Sequence, residues 1–488
     1  MRRRAIAPIL LASIPLASLA WGCDDSGGAM GPTVELIDPS GQNAAADVVS
    51  GTLTVEVSQD GRRVDCGGDT DLCRGPVENG GFDLTLPIRT LEGITVVHAR
   101  LDGGEASRIG ATPRFDPFRD GLGGLPIRLV MGRPGECAPL TPLAESGAGT
   151  VLRLPRPVRD AAVAVRRNIG LVLGGSEAAG GSSQVTRFDQ LVVQSLPLED
   201  TASPAGPARG LALSDDDSVV VADGGAWHFR LALTSEEASP IPREPITLHA
   251  GAGFASAVVD RGFDGGVVLG GAIDGAAVDG VTWIDEDGDP DGAPTRLAVP
   301  RRFPAAVALD GGVLVVGGGA DGEPRAEWLV AGEDGVALGG VDGLPRASGG
   351  HLLPSPSGDA ALWIGFERED GTASPRTYLV SGCPAACAVE EAFAWDRPRL
   401  DTAHASTDEG RHWLVGGLDG DGPSRAVDVV AWRAGDLERT DGPPLQTARA
   451  GALAFEHASG VVTVAGGEGE AGLLADFEHC TPASLDPL

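Results

Sequence analysis

The chain has 488 residues, more than one ordinary domain, and its 69 acidic residues against 37 basic ones give a net charge of −32. All 37 basic residues are arginine. This acidity argues against nucleic acid and anionic lipid headgroups as partners, because both are bound through basic patches.

The N-terminus predicts an export signal. Arg2, Arg3 and Arg4 precede an apolar stretch over residues 5–20, and the small residue Gly22 stands before Cys23. This order predicts a signal peptide over residues 1–22, whose removal with its three arginines changes the net charge to −35. No other segment of the sequence reaches the length of a transmembrane helix.

A cysteine directly after the small residue resembles the lipobox of bacterial lipoproteins, although Ala20 stands where that motif usually has leucine. The resemblance implies that Cys23 carries a lipid and anchors the chain in the bacterial cell envelope. We expect the outer membrane, with the periplasmic or surface face left open. An ordinary signal peptide cleaved elsewhere, or an uncleaved membrane anchor, is the alternative. Residues 23–31 are glycine-containing and predict a flexible tether.

Residues 32–135 predict a small all-β domain. Stretches at 53–57, 82–86 and 95–101 alternate apolar and polar residues, as half-buried strands do. Glycine and aspartate turns between them favour an immunoglobulin-like β-sandwich. No motif in this region carries chemistry, so we expect a spacer between the membrane and the rest of the chain.

From residue 136 to residue 488 the chain is dominated by a repeat. Seven short apolar runs end in Gly-Gly or a degenerate form of it, and their first glycines stand at 174, 224, 270, 317, 365, 416 and 466. The period is therefore 46 to 51 residues, and a period this constant indicates a repeat architecture. Each run is four or five residues long, which suits a buried strand, and the glycines allow positive φ and close backbone approach.

Each repeat predicts four short strands, which is the content of one propeller blade. An arginine followed by small apolar residues precedes most of the runs, and a stretch that often contains tryptophan follows them, as at Trp283, Trp328 and Trp432. This order resembles the Kelch repeat over roughly residues 150–480, although the family's tyrosine after the diglycine is mostly absent. The resemblance implies a seven-bladed β-propeller. An open array of β-hairpins is the alternative, but it would expose edge strands.

The last repeat is one strand short, because only about twenty residues follow Gly467. We expect residues 150–155, upstream of the first repeat, to complete the last blade. The six cysteines after Cys23 suggest disulfides in an exported chain, and six cysteines allow 15 pairings. Proximity in sequence and position at the two ends of the repeats favour three pairs: Cys66–Cys73, Cys383–Cys387 and Cys137–Cys480. Their spacings do not match zinc motifs.

Two groups of residues are candidates for ligand binding. Asp287, Asp289 and Asp291 before Gly292 match the first half of a calcium loop, but its twelfth position lacks the bidentate glutamate, so a plain acidic turn is the alternative. Apart from calcium no cofactor is expected. The repeated arginines are expected to form a circle around one channel mouth, where they either bind an anion or pair with nearby carboxylates. They are Arg159, Arg209, Arg302, Arg346, Arg399 and Arg449.

Catalysis finds little support in the sequence. Copper-radical oxidases resembling galactose oxidase need several tyrosines, sialidases need a tyrosine nucleophile, and this chain has only Tyr378. Serine-hydrolase motifs are absent. We therefore expect a monomeric, non-catalytic, lipid-anchored binding module that presents propeller loops to an envelope protein or a glycan. The alternative is an envelope carbohydrate-active enzyme, such as an epimerase, a lyase or a sialidase-like enzyme, with its site in the propeller mouth.

Overall fold

The structure is a computed structural model, and the residues it describes are 18–21, 34–64, 73–82, 85–86, 93–116, 127–141, 151–178, 180–181, 185–198, 205–213, 217–223, 225–231, 240–261, 265–320, 322–339, 341–407, 410–433 and 435–485. Within these residues the protein is all-β. The only helical turns are the short 3₁₀ segments Gly104–Ala106 and Ala458–Gly460. No helix of the described residues is long and apolar enough to cross a bilayer.

The N-terminal part contains two sheets that share one hydrophobic core. The first sheet has the strand order Ile127–Val130, Val34–Ile37, Ser18–Trp21, Thr85–Leu86. The second has the order Gly81–Phe82, Cys73–Glu78, Ser50–Gln59, Thr95–Asp102, Arg108–Ala111, and Arg62–Arg63 also pairs with its central strand. Apolar side chains of both sheets, including Leu36 and Val97, form the common core because each strand turns alternate residues inward.

Seven antiparallel sheets of four main strands each form the rest of the chain. We number them in chain order. Sheet 1 contains Ala162–Arg166, Ile169–Leu173, Val185–Asp189 and Gln194–Leu198; sheet 2 contains Ala208–Ala212, Asp217–Ala222, Gly225–Leu231 and Pro240–Ile246; sheet 3 contains Ala257–Asp260, Gly266–Leu269, Ala276–Ile284 and Pro290–Arg301, with Ala272–Ile273 added to the third strand.

Sheets 4 to 7 follow the same order. Sheet 4 contains Ala305–Leu309, Gly312–Val316, Ala326–Leu329 and Val336–Ala337; sheet 5 contains His351–Pro354, Ala360–Ile364, Arg376–Ser381 and Ala388–Ala394; sheet 6 contains Ala403–Ser406, Arg411–Val415, Val427–Arg433 and Asp436–Asp441; sheet 7 contains Leu453–Glu456, Val462–Ala465, Phe477–Cys480 and Cys137–Pro139. Two-stranded ribbons extend four of the sheets: Ser176–Glu177 with Gly180–Gly181, Ala347–Ser348 with Glu367–Arg368, Leu418–Asp419 with Gly422–Pro423, and Glu468–Gly469 with Gly472–Leu473.

The first strands of neighbouring sheets contact each other, and the first strand of sheet 1 contacts that of sheet 7. Between sheets 5 and 6 the contact is made by His351, whose Nε2 lies 3.1 Å from the carbonyl oxygen of Thr402. These strands are rich in alanine and small residues, which lets their backbones approach closely. The seven sheets therefore meet along their first strands.

The diglycines form the junctions between neighbouring sheets. The amide of the second glycine donates to a carbonyl at the start of the next sheet, in five bonds of 2.6 to 2.9 Å: Gly175 to Gly206, Gly271 to Arg301, Gly318 to Ala347, Gly417 to Arg449 and Gly467 to Val158. Both glycines of these pairs have positive φ. A Cβ on the first glycine would also crowd the same carbonyl, at 2.8 Å for Gly466 against Val158. The positions therefore require glycine for conformation and for space.

The last sheet is completed from upstream of the first repeat, as expected, but by two segments. Cys137–Pro139 is the strand that pairs with Phe477–Cys480, and Arg153 adds an antiparallel bridge to Asp476, just ahead of that strand. The expectation that residues 150–155 complete the last sheet is therefore met only in part. The earlier segment is held in place by the disulfide between Cys137 and Cys480, which face each other in the register of the two strands.

Of the other cysteines, Cys383 is bonded to Cys387, as expected. Cys73 is also in a disulfide, and its predicted partner Cys66 lies outside the described residues. Cys23 and the tether lie outside them too, so lipidation stays a prediction. Ser18–Trp21, placed by the sequence in the signal peptide, pairs with Val34–Ile37 in this uncleaved chain.

Candidate functional site

A cavity of about 580 Å³ lies where the first strands of the seven sheets meet. All seven sheets contribute to its wall, and nearly half of the lining residues are alanine or glycine, so the backbones themselves shape much of the cavity. The few large or charged side chains in the wall therefore determine what it can bind. They include Arg209, Phe254, Phe303, Glu367, Asp401 and the histidines His351 and His404.

Two aspartates stand at equivalent positions beside this cavity, in the entry to sheets 1 and 6. Asp160 and Asp401 both have left-handed backbones, with φ of 54° and 51°. Gly451 lies between them: its amide donates to the Asp401 carbonyl at 3.0 Å, and its carbonyl accepts from the Asp160 amide at 3.1 Å. Non-glycine residues in this conformation are uncommon and concentrate at functional sites.

The charges of these aspartates act on each other and on Arg209. Burial and the neighbouring Asp401 carboxylate raise the pKa of Asp160, and Arg159 and Arg209 oppose this shift. The guanidinium of Arg209 faces the cavity, where desolvation lowers its pKa, while Asp160 and Asp401 act in the opposite direction. Two carboxylates and one guanidinium thus form a coupled group.

An alternating row of arginine and phenylalanine borders the cavity on sheets 2 to 4. The guanidinium of Arg209 lies 4.6 Å from the ring centre of Phe254, and its Nε donates to the Phe254 carbonyl at 3.4 Å. The ring of Phe254 meets that of Phe303 edge-on at 5.9 Å, and Arg302 lies 5.1 Å from the Phe303 ring. Both rings are half-buried. Both also line one adjoining cavity, and Phe303 lines a second one.

The cavity continues toward the N-terminal domain. A second cavity of about 500 Å³ shares Val163, Gly210 and His404 with the first, and Arg114 of the N-terminal part also lines it. Burial lowers the pKa of His351 and of His412 to about 4, and that of His404 well below its usual value. The three imidazoles are therefore neutral near pH 7 and contact one another in sequence, His351 to His404 to His412.

The predicted circle of six equivalent arginines does not exist, because the six occupy different positions relative to the diglycine junction. Arg399 and Arg449 are fully buried and pair with Asp428 at 2.7 Å and with Glu478 at 2.5 Å. The equivalent residue ahead of sheet 4 is Arg301, the last residue of sheet 3, which pairs with Glu327 of sheet 4 at 2.6 Å, and not the predicted Arg302. These pairs are structural, since all three guanidinium groups are fully buried and none of them lines the cavity.

The other four predicted arginines lie at or near the cavity mouth. Arg159 pairs with Glu468 and lies near Asp160, and Arg346 pairs with Glu369 at 3.2 Å. Arg209 and Arg302 belong to the row described above. Four residues of this region were not predicted from the sequence, although Asp160 and Phe303 directly follow two of the predicted arginines; they are Asp160, Asp401, Phe254 and Phe303.

The calcium candidate is a hairpin turn between two strands of sheet 3. The carboxylate of Asp285 accepts from the amides of Asp287 at 3.1 Å and Asp289 at 2.8 Å, and Asp291 already lies in the following strand. In the part of the chain that the structure describes, no three histidine, cysteine, aspartate or glutamate residues are placed to hold a metal ion. Tyr378 packs in the core against Phe366, away from the cavity.

No protein-family model matches the chain, and neither does any curated protein. Among solved structures it is similar to a fungal alcohol oxidase of the AA5 family in complex with copper, at 15% identity and a TM-score of 0.53 over 68% of this chain and 75% of the oxidase. It is also similar to YjhT, at 12% identity and a TM-score of 0.40 over 67% of this chain and 95% of YjhT. At this identity the likeness to the oxidase shows a common fold and nothing of its chemistry.

Proposed function

We propose that this chain is an exported, lipid-anchored binding protein of the bacterial envelope whose central cavity binds a glycan without catalysis. In this proposal the seven sheets are the blades of a Kelch-like β-propeller, and the strands of the two N-terminal sheets that follow Cys23 are a β-sandwich stalk between Cys23 and the propeller. The chain acts as a monomer, and only the lipid on Cys23 attaches it to the outer membrane. The periodic diglycines and the contact of sheet 1 with sheet 7 support the propeller.

The composition of the cavity mouth carries the proposal for the ligand. Phe254 and Phe303 present half-buried rings, Arg209 contacts Phe254, and Asp160 and Asp401 lie close enough to Arg209 for their charges to act on it. Aromatic faces pack against the C–H faces of sugar rings, while carboxylates and guanidinium groups hydrogen-bond hydroxyls in pairs. A concave, polar mouth favours a glycan over a protein partner, which would need a flat or apolar surface.

A glycan array with the detergent-solubilised full chain, followed by calorimetric titration of the saccharides it selects, tests this function. Phe254→Ala and Asp401→Asn are expected to weaken binding at least tenfold, because each removes a contact group at the mouth. Val336→Ser, on an exposed outer strand of sheet 4, is the control and should bind normally. Binding that is unaffected by either mouth variant would contradict the proposal.

One observation favours a second candidate, a carbohydrate-active enzyme. The raised pKa of Asp160 beside Asp401 is the arrangement in which one carboxyl donates a proton and the other stays ionised. Asp160 would then protonate the leaving oxygen, and Asp401 would accept a proton from water. Incubating the bound saccharides with the full chain and assaying for new reducing ends separates the two candidates. Cleavage that Asp160→Asn abolishes would establish the enzyme.

A further inference from the structure

We propose that the bound glycan is acidic: Arg302 binds the carboxylate of a uronic-acid residue while Phe303 supports the sugar ring. This inference rests on the proposed glycan-binding function and narrows its ligand class. It is carried by the charge environment of Arg302 and by the backbone of Phe303.

Arg302 differs from four of the other five arginines of the predicted circle, and it differs from Arg209 in having no Asp160 and Asp401 charges acting on it. Arg159 pairs with Glu468, Arg346 with Glu369, and Arg449 with Glu478. Among the described residues Arg302 contacts the ring of Phe303 and has no carboxylate within ion-pair distance. Its exposed guanidinium therefore keeps a planar pair of N–H donors available, which is the geometry that binds a carboxylate bidentately.

In the cavity next to Arg302, that arginine is the one lining cation of the described residues without an ion-pair partner. The cavity measures about 670 Å³ and is lined by three arginines and two glutamates: Arg302, Arg346, Arg368, Glu367 and Glu369. Arg346 is already paired with Glu369, and Arg368 with Asp370 at 3.5 Å. A single carboxylate therefore suits this place. The strong negative charge of the whole chain opposes the binding of a densely charged polyanion, because repulsion from the rest of the surface reaches beyond the contact with Arg302.

Phe303 is held in a conformation that its side chain disfavours. Its φ is 50°, in the left-handed region, where a bulky residue is an outlier. Neighbouring sheets fix it on both sides: its amide donates to the Ala255 carbonyl, and its carbonyl accepts from the Gly349 amide, both at 2.7 Å. Backbone strain of this kind concentrates at ligand-binding positions. Here it directs an aromatic ring to the mouth beside the available guanidinium.

The test compares trisaccharides of galacturonic, glucuronic and mannuronic acid with their carboxyl-reduced neutral counterparts, titrated into the detergent-solubilised full chain. At least one acidic trisaccharide should bind tenfold or more tightly than its neutral counterpart. Arg302→Gln should remove this preference and leave the neutral affinity within threefold. Arg346→Gln, which loses the same charge at the same rim from an arginine that is already paired, should keep the preference.

Phe303→Asn separates ligand contact from folding, because asparagine tolerates the left-handed region better than phenylalanine. The Phe303→Asn variant should keep or raise the unfolding midpoint, and it should bind acidic and neutral saccharides more weakly to a similar degree. If no acidic trisaccharide exceeds its neutral counterpart, the inference is overturned but glycan binding stands. If the full chain binds no glycan at all, the proposed function fails first, and the inference fails with it. Unchanged affinity in Phe303→Asn would overturn the role of the ring.

Discussion

The amide of Gly467, after the second strand of sheet 7, donates a 2.8 Å hydrogen bond to the carbonyl of Val158, just ahead of sheet 1. The same kind of bond joins four other neighbouring pairs of sheets. Here it joins sheet 7, the last in the chain, to sheet 1. The repeat motif thus joins the sheets to each other as well as shaping each one. The mouth residues, which come from different sheets, depend on these junctions for their relative positions.

The junction predicts a cost for Gly467→Ala well above that of an ordinary glycine substitution. Its φ is 91°, and a Cβ would lie 2.8 Å from the Ala450 carbonyl. Gly435 is a matched control, with φ of 93° and no atom near its Cβ position. Backbone strain alone costs about 1 kcal/mol at either site, and the clash should raise the loss to about 3 kcal/mol at Gly467. Equal losses in urea denaturation would show that the junction is not tightly packed.

The disulfide between Cys137 and Cys480 joins positions 343 residues apart and secures the strand that completes sheet 7. The double variant Cys137→Ser/Cys480→Ser should lose about 5 kcal/mol of unfolding free energy on the loop-entropy model. The disulfide between Cys383 and Cys387 closes a separation of only 4 residues, so the matching variant there should lose much less unfolding free energy. Denaturation of both variants without reductant makes the comparison, and a larger loss at the short pair would contradict it.

The buried arginines predict strong destabilisation when they lose their partners. Arg449→Met would leave Glu478 as an uncompensated buried charge, which costs about 3–5 kcal/mol. Arg397→Met removes an exposed partner of Asp441 and should cost less than about 1 kcal/mol. Thermal denaturation of the two variants measures the difference. Similar melting temperatures would mean that Glu478 reaches solvent or another cation.

Buried histidines make the fold sensitive to acid. Burial lowers the pKa of His351, His412 and His457 to about 4 in the folded chain, below the ordinary value of 6.5. Between pH 4 and pH 6.5 the unfolded chain therefore binds more protons than the folded chain. The contribution of these histidines to the free energy of unfolding is complete above pH 6.5 and is lost as the pH falls toward 4. Each such histidine contributes a slope of about 1.4 kcal/mol per pH unit in that window.

Urea denaturation at pH 7, 6 and 5 should show this loss, and His412→Gln should reduce its slope by the share of one histidine. A stability that is level from pH 7 to pH 5 would show that the imidazoles are already protonated, or hydrated, in the folded chain.

The sequence predicted the parts of the fold that depend on local chemistry. Positive φ and close approach at the diglycines follow from the properties of glycine, and the pairing of Cys137 with Cys480 follows from their place at the two ends of the repeats. The strand that completes sheet 7 was predicted only in part, because residues 152–154 bond to residues 475–477 while Cys137–Pro139 pairs with Phe477–Cys480, and only backbone register distinguishes the two segments.

The candidate site was less predictable, because its residues come together only through the contact of different sheets. Arg301 and Arg302 are adjacent in sequence, yet one is fully buried against Glu327 and the other is exposed at the mouth. Periodicity cannot distinguish a shift of one residue when the repeat length varies from 46 to 51. Asp160 and Asp401 lie more than two hundred residues apart in the chain. Their equivalent positions in two different sheets are evident only in the structure, where both have left-handed backbones.

Hydrogen exchange of the full chain, with and without a saccharide that it binds, tests most directly whether the cavity mouth is the ligand site. Binding there predicts added protection at residues 159–161, 207–210, 253–255, 302–304 and 400–402, which belong to five different sheets or their entries, and little change on the outer strands. Protection confined to the N-terminal domain or to the outer strands, with the mouth segments unchanged, would contradict the proposed site.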